Sequence, residues 1–480
     1  MSPNVTGTDP EILENRTLNE LAVGDSACLV RQLSEQDIQL FAVMSGDVNP
    51  AHVDQEFAHE DIFHKVIAHG MWGGALISNV LGTQLPGPGT IYLAQDLRFK
   101  RPIGLGDTIT VTVEVTAKDA ERGRVTLACR CVNQDGNITI EGEATVLAPQ
   151  EKIRRNRVKL PEVSLNHPGR HLWSLIESAQ AHGPLTVAVV HPVDTASLLG
   201  ALRATEAGLI EPVLVGPEAR IREAAQTANI DISGYRLETT AHSHAAAECA
   251  ASLAAAGEVQ AIMKGKLHTD ELMGAVLARN GGLRTERRAS HVFYMDVPGF
   301  ERPIFITDAA INIAPTLDDK KDIVQNAIDL ARATGIEQPK VAILSAVETV
   351  ASKMGSTVEA AALAKMADRG QITGGLVDGP LAFDNAINVE AARTKGITSP
   401  VAGHADILVA PDLEAANMAA KQLTYMANAK SAGIVMGTRV PIALTSRADD
   451  ELGRMASSAL AVRSFAWQHK LPEITDERED

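Results

Sequence analysis

The 480-residue sequence lacks most of what would hold it outside a reducing, aqueous compartment. Four cysteines (Cys28, Cys129, Cys131, Cys249) are scattered, and only Cys129 and Cys131 are close. Their alternation puts both on one face of a strand, so neither a disulfide framework nor a zinc spacing follows. Basic charge is in deficit: 44 Lys and Arg against 60 Asp and Glu leave a formal net charge of -16. That excludes sequence-independent binding to nucleic acid or an anionic membrane, which needs a basic surface to displace counterions. No apolar run reaches membrane-spanning length. The opening MSPNVTGTDPEILENR carries acids and prolines where a signal peptide needs a basic start and an apolar stretch. The expectation is a reduced, soluble cytoplasmic protein. A glycine-rich dinucleotide turn is missing too, HPVDTAS standing in its place after the first strand of the C-terminal half, which ranks a dehydrogenase last.

What is present divides in two. Residues 17–30 and 90–148 carry alternating runs such as TITVTVEVT, RVTLACRCV and ITIEGEATVL, which read as strands. Between them HGMWGGALISNVLG, from His69 to Gly82, is small and apolar nearly all round, as a buried helix is. One helix wrapped by an antiparallel sheet is a hot-dog domain, an α+β arrangement, expected over 1–150. The basic, apolar-poor QEKIRRNRVKLPEVSLNHPGRH then reads as a linker, 151–170. From Pro184 apolar strands alternate with Ala-rich helices (LTVAVVHP, EPVLVG, VQAIMKG, PIFITDA, KVAILSAVE, GGLVDG, ADILVAPD, SAGIVMG, VPIALTS). This predicts a parallel, doubly wound α/β sheet over 171–480, with sites beyond the carboxyl ends of its strands.

In SGDVNPAHVD, Asp47 and His52 flank Pro50, which stiffens the loop between them. A carboxylate and an imidazole so held can share the activation of one water, although the spacing alone equally suits a structural hydrogen bond. The set GDVNPAH, IAHGM, LPGPGTIYLAQDLRF and PIGLGDT, spread over residues 20–148, resembles the MaoC-like (R)-specific enoyl-CoA hydratases. The resemblance implies that Asp47 and His52 activate the water that adds to C3 of a trans-2-enoyl-CoA, and that the Gly70 N–H holds the thioester oxygen. A helix start supplies such a donor and a favourable field. Ser78 stands where the family has a serine near the dyad, or else its hydroxyl bonds its own helix backbone. His64 departs from the family by replacing a glycine. His59, His64 and His69 recur every five residues, share no helix face and make no metal site.

From about residue 170 to 470, VQAIMKGKLHT, FITDAAINIAPT, LSAVE, GGLVDGPLAFDNA, ADILVAPDLEAANMAAKQL and PIALTSRADD resemble the phosphate acetyl/butyryltransferases. The implied fold is two α/β subdomains around a cleft, as in isocitrate and isopropylmalate dehydrogenases. Acyl phosphate and CoA bring anionic phosphates together, so the site needs guanidinium forks and helix starts more than a metal. Ser446 and Arg447 follow the strand PIALT and precede a helix, and the resemblance makes them site residues. Thiol attack needs a base; Asp449 and Asp450 lie nearby, off the family's spacing, and Asp450 is taken as the candidate with Asp449 open. One of Arg284, Arg287 and Arg288 holds phosphate by resemblance. Lys264, Asp308, Asn312, Asp378 and Asp384 sit at strand ends as substrate-binding candidates, or order loops.

Two reactions on one chain are thus expected, enoyl-CoA hydration and acyl transfer between CoA and phosphate. The alternative is a C-terminal half that only senses acyl-CoA or builds the oligomer. The partners implied are acyl-CoA, CoA and phosphate or acyl phosphate, with no metal, no tightly bound cofactor, and a dimer or hexamer by resemblance.

Overall fold

The computed structural model describes residues 11–161, 163, 165, 169–279, 281–445 and 449–471. The chain divides into two compact units, Met1–Leu165 and Asn166–Asp480. Among the described residues no helix is long and apolar enough to cross a membrane.

Alternation builds the first unit. Ile109, Val111, Val113 and Val115 of the strand Thr108–Asp119 are fully buried, as are Val125, Leu127 and Cys131 of Arg124–Val132. Val111 stands opposite Cys131 and Val113 opposite Cys129, so every second residue of both strands faces one core. Five antiparallel strands run in the order Ser26–Gln32, Thr108–Asp119, Arg124–Val132, Ile138–Leu147, Ile91–Phe99. They wrap the helix Gly70–Thr83, whose Trp72, Ile77, Val80 and Leu81 complete the core. Gly73 sets the approach of helix to sheet, since a Cβ there would lie 2.3 Å from Cδ1 of Ile140. The hot-dog arrangement is therefore present. The basic segment after it is not all linker: Arg154–Asn156 pairs antiparallel with Ile12–Glu14, and Lys152 bridges Glu14 and Glu20. Its charge reflects a partnership with acids from the chain's beginning.

The second unit carries an eleven-stranded sheet, and it is not all parallel. One parallel block runs Arg236–Thr239, Ile210–Gly216, Leu185–Val190, Ala261–Lys264, Ile442–Ala443. A second runs Ile304–Thr307, Ile407–Val409, Lys340–Leu344, Leu376–Leu381. Lys430–Met436 and Ser290–Asp296 join the blocks through three antiparallel pairings. The expectation of a parallel sheet fails at this centre for a physical reason. Strands buried on both faces read as continuous apolar runs whichever way they point. The two blocks consequently run in opposite directions, and their carboxyl ends lie on opposite edges of the sheet. The helix Glu451–His469 packs across Arg170–Gln180 and Thr195–Glu206, its small residues Ala456, Ser457, Ser458 and Ala459 all buried.

Candidate active sites

In the first unit the site is made by one stretch of chain. The helix Glu35–Ser45 stops at Gly46, whose φ of 74° is left-handed and whose N–H caps Ala42 O. Asp47 follows, exposed, its Oδ1 accepting the Asn49 N–H at 3.2 Å. Asn49 caps the short helix Pro50–Val53, with Pro50 in its first turn, and this turn presents His52. His52 Nδ1 lies 2.9 Å from Ile67 O. A carbonyl only accepts, so Nδ1 carries the proton and Nε2 keeps a lone pair. His69 does the converse, donating from Nε2 to the backbone oxygen of Asp47 at 3.0 Å. The two rings lie 4.1 Å apart between centroids. His69 is also the N-cap of the helix Gly70–Thr83, so Gly70 is the first residue of the helix and its N–H has no acceptor within it.

Asp47, His52 and Gly70 therefore meet as expected, and His69 joins them. Ser78 is exposed on the same helix, eight residues or about 12 Å of helical rise beyond Gly70. Asp47, His52 and His69 also bring one ligand-capable atom each within 4.8 Å of the others, a donor set that a divalent transition metal fits. His59 and His64 take no part in it; His64 Nδ1 donates to His59 O instead, at 3.1 Å. His64 adopts a left-handed φ of 52°, which explains why glycine suits that position and what the histidine there costs.

In the second unit the candidates fall into two groups, one toward each edge of the sheet, joined by the helix Thr269–Val276, which follows Lys264 and lends Thr269 and Asp270 to the cavity of the first. Val292 pairs antiparallel with Thr307, so the chain entering Ser290–Asp296 lies alongside the chain leaving Ile304–Thr307. That brings the arginines before Ser290 to Asp308 and Asn312. Arg284, Arg287, Arg288 and Asn312 line one cavity of about 690 Å³, with Thr269, Asp270, Ala310 and Ile311. Arg288 Nε donates to Asn312 Oδ1 at 2.7 Å and lies 3.6 Å from Asp319, and Arg287 pairs with Asp329. Among the described residues no carboxylate pairs with Arg284. Asp308 is buried behind Asn312. Burial raises its pKa, against the N–H groups of Ala310, Ile311 and Asn312 and the Asn312 amide, which pull it down.

At the other edge, Lys264 ends the strand Ala261–Lys264, buried, with Nζ 3.4 Å from Thr445 O, while the Thr445 hydroxyl donates to Lys264 O at 2.9 Å. Ser446 and Arg447 lie outside the described residues. Asp450 caps the Glu451–His469 helix through the Gly453 N–H and pairs with Lys430. Although burial works to raise it, the Lys430 and Gly453 hydrogen bonds leave its pKa below the usual carboxylate range. Arg454, buried, donates to Thr445 Oγ1 and Asp449 O, a contact for which the sequence's only signal is an arginine inside a stripe of small residues. Asp378 and Asp384 are away from the cavity lining. Asp378 accepts the Gly379 N–H, and exposed Asp384 lies 3.5 Å from Lys395.

Comparison with known proteins follows this division. Residues 238–462 match the family described as Phosphate acetyl/butaryl transferase, and residues 16–133 match MaoC like domain. A phosphate acetyltransferase of Rhizobium meliloti is 60% identical over 287 residues, covering 60% of this chain and 91% of its own length. A branched-chain phosphotransacylase from Enterococcus faecalis superimposes with a TM-score of 0.52 at 30% identity, over 58% of this chain and 99% of that one. The R-hydratase PhaJ1 from Pseudomonas aeruginosa is 46% identical, over 32% of this chain and 99% of that one, with a TM-score of 0.31.

Proposed function

We propose two activities for this chain, which belongs to the phosphate acetyl/butyryl transferase family and carries a MaoC-like domain ahead of it. The C-terminal unit transfers a short acyl group between CoA and phosphate, and the N-terminal unit hydrates a trans-2-enoyl-CoA to a 3-hydroxyacyl-CoA.

The hydratase reading is carried by the His52 ring, whose proton is fixed on Nδ1 by Ile67 O. Nε2 is left to take a proton from water, with Asp47 beside it as the second contact. The water oxygen bonds C3, the C2=C3 π pair moves toward the thioester, and the growing negative charge on the thioester carbonyl oxygen meets the Gly70 N–H at the helix start. Return of that proton from the Asp47–His52 pair to C2 completes the addition. Ser78, exposed on the same helix, is assigned to assist the dyad. Purified protein loses the enoyl thioester absorbance of crotonyl-CoA under this reading; a folded protein that leaves it intact refutes it.

The transferase reading is carried by the arginine-lined cavity. Arg284, without a carboxylate partner among the described residues, is the phosphate ligand, Arg288 with Asn312 shapes the cavity wall, and Asp308 holds Asn312 in place. Ser446 and Arg447 bind the acyl phosphate, and Lys264 lends positive charge at the strand end. Asp450 is engaged twice and held acidic, so it is a poor proton acceptor. The CoA thiol's proton is assigned to this pair of aspartates, Asp450 or Asp449. Thiolate attack on the acyl carbon then expels phosphate, and the reverse reaction makes acyl phosphate. Asp378 and Asp384 serve their loops. Acetyl- and butyryl-phosphate should each give acyl-CoA with free CoA, and neither doing so in a folded protein ends the proposal.

The C-terminal unit is further assigned the two-subdomain cleft of isocitrate and isopropylmalate dehydrogenases, with functional limits of 1–150 and 171–480. Neither reaction calls for a tightly bound cofactor or metal, and the proposed setting is the cytoplasm. A dimer or hexamer is inferred, supported by exposed Ile91, Tyr92, Leu93 and Phe99 on the edge strand Ile91–Phe99.

A further inference from the structure

His69 belongs to no role that the hydratase reading gives out, yet it touches every part of that site. It is 2% exposed. Its Nε2–H donates to the Asp47 carbonyl, its ring lies against His52 at 4.1 Å and against Phe41 at 4.8 Å, and its own carbonyl accepts the Trp72 N–H at 2.9 Å as the helix begins. With Nε2 donating, its Nδ1 is a buried acceptor that no hydrogen bond satisfies. A buried polar atom left unpaired is costly, and a phenylalanine would fill the same space without that cost. The structure thus tolerates a penalty to keep an N–H aimed at Asp47.

We propose that His69 is a positioning residue for hydration, fixing Asp47 and His52 relative to the Gly70 N–H through one hydrogen bond and one ring contact. The inference rests on the hydratase reading above. Asp47 sits in a loop that begins at a left-handed glycine, and its carboxylate is exposed. Among the described residues its side-chain hydrogen bond lies within its own turn, at the Asn49 N–H. The His69 bond ties the Asp47 backbone to the start of the helix bearing Gly70. His52 has one fixed edge, at Ile67 O, and His69 supplies the face that stops its ring from tilting. Both attachments converge on the residue immediately before the oxyanion donor, so one side chain sets the distance between the water-activating pair and the developing negative charge.

Two variants separate the bond from the ring contact. His69→Phe keeps an aromatic face and removes the donor; His69→Gln keeps a donor at similar reach and removes the ring. In the full-length chain, His69→Phe should lower kcat for crotonyl-CoA hydration about 10- to 100-fold while KM stays within about threefold, since misplacement of reacting groups acts on turnover more than on binding. His69→Gln should fall between it and the parent. Acyl transfer by the same preparations reports on the other unit, and circular dichroism reports on folding. Selective ¹⁵N-histidine labelling gives a readout independent of turnover: His52 should show one tautomer, protonated at Nδ1, in the parent and in His69→Phe, and a mixture in His69→Gln, which lacks the ring face. A His69→Phe protein with kcat within about twofold of the parent overturns the proposal. So does a loss of kcat in His69→Gln that tracks lost folded signal with an unchanged His52 tautomer. If the parent itself hydrates nothing, the hydratase reading fails, and the tautomer comparison still decides whether His69 fixes His52.

Discussion

The two candidate sites are built over different lengths of chain. In the first unit, Asp47, His52, His69 and Gly70 come from one stretch of sequence, closed by a helix cap, a proline-led turn and a helix start. In the second, Lys264 meets Thr445 across 181 positions, and Arg288 meets Asn312 only because two strands run antiparallel. A local site depends on short-range geometry and tolerates changes elsewhere in the sheet. A distributed one is coupled to the register of the whole core, so its failures should look like failures of assembly.

The sharpest way to break that comparison is to disable one site and measure the other. Asp47→Asn or His52→Ala should lower hydration about 10³-fold, the scale of a lost acid–base group, with acyl transfer unchanged. Kinetics on crotonyl-CoA and acetyl phosphate with the same preparations check it. If acyl transfer falls in parallel, the sites are not independent. Within the second unit the arginines should grade by how far carboxylates already occupy them. Arg284→Gln should raise KM for phosphate about 10-fold or more, the scale of a charge-assisted hydrogen bond, and Arg287→Gln should do less because Asp329 already holds that guanidinium. Equal effects would remove Arg284 from its role.

The same contrast decides what could be read before the structure. Asp47, His52 and Gly70 were legible because motif, turn chemistry and helix start lie within one window, where sequence spacing is spatial spacing. The hot-dog core was legible because period-2 burial in Thr108–Asp119 and Arg124–Val132 states which face is inside. The sheet of the second unit was legible in content but not in direction. SAGIVMG and SHVFYMD are buried on both faces, and nothing in such a run says that one lies antiparallel to the other. That one missing fact hid the meeting of Arg288 with Asn312, and it sent the rule of carboxyl-end sites to two edges of the sheet instead of one. His69 was visible as a residue but not as a participant, because its hydrogen bond goes to a backbone oxygen, which no side-chain pattern records.

Packing gives a smaller test on the same axis. Gly73→Ala puts a Cβ 2.3 Å from Ile140 Cδ1, so either that side chain moves or the helix lifts from the sheet. The cost should be about 1–3 kcal/mol to the first unit, the usual range for overpacking. Hydration should weaken as Gly70 moves with the helix, while acyl transfer stays. Thermal unfolding followed with both assays separates the two.

The smallest expected effect concerns Asp450, and it sharpens which aspartate serves the thiol. Its carboxylate accepts the Gly453 N–H and pairs with Lys430, and its folded-state pKa lies below the unfolded value. A depressed pKa means stability that is present above the unfolded pKa and is lost as pH falls through the folded one. Asp450→Asn keeps a capping oxygen and removes the charge, so it should flatten that acid-side loss while costing only a few tenths of a kcal/mol at neutral pH. Asp450→Ala should cost about 1 kcal/mol, as helix caps generally do. Neither should lower kcat for acyl transfer by more than a small factor, whereas Asp449→Asn should lower it about 100-fold if it takes the thiol proton. The reverse order in kcat would return the base to Asp450 and make its pairing with Lys430 a state that substrate must break.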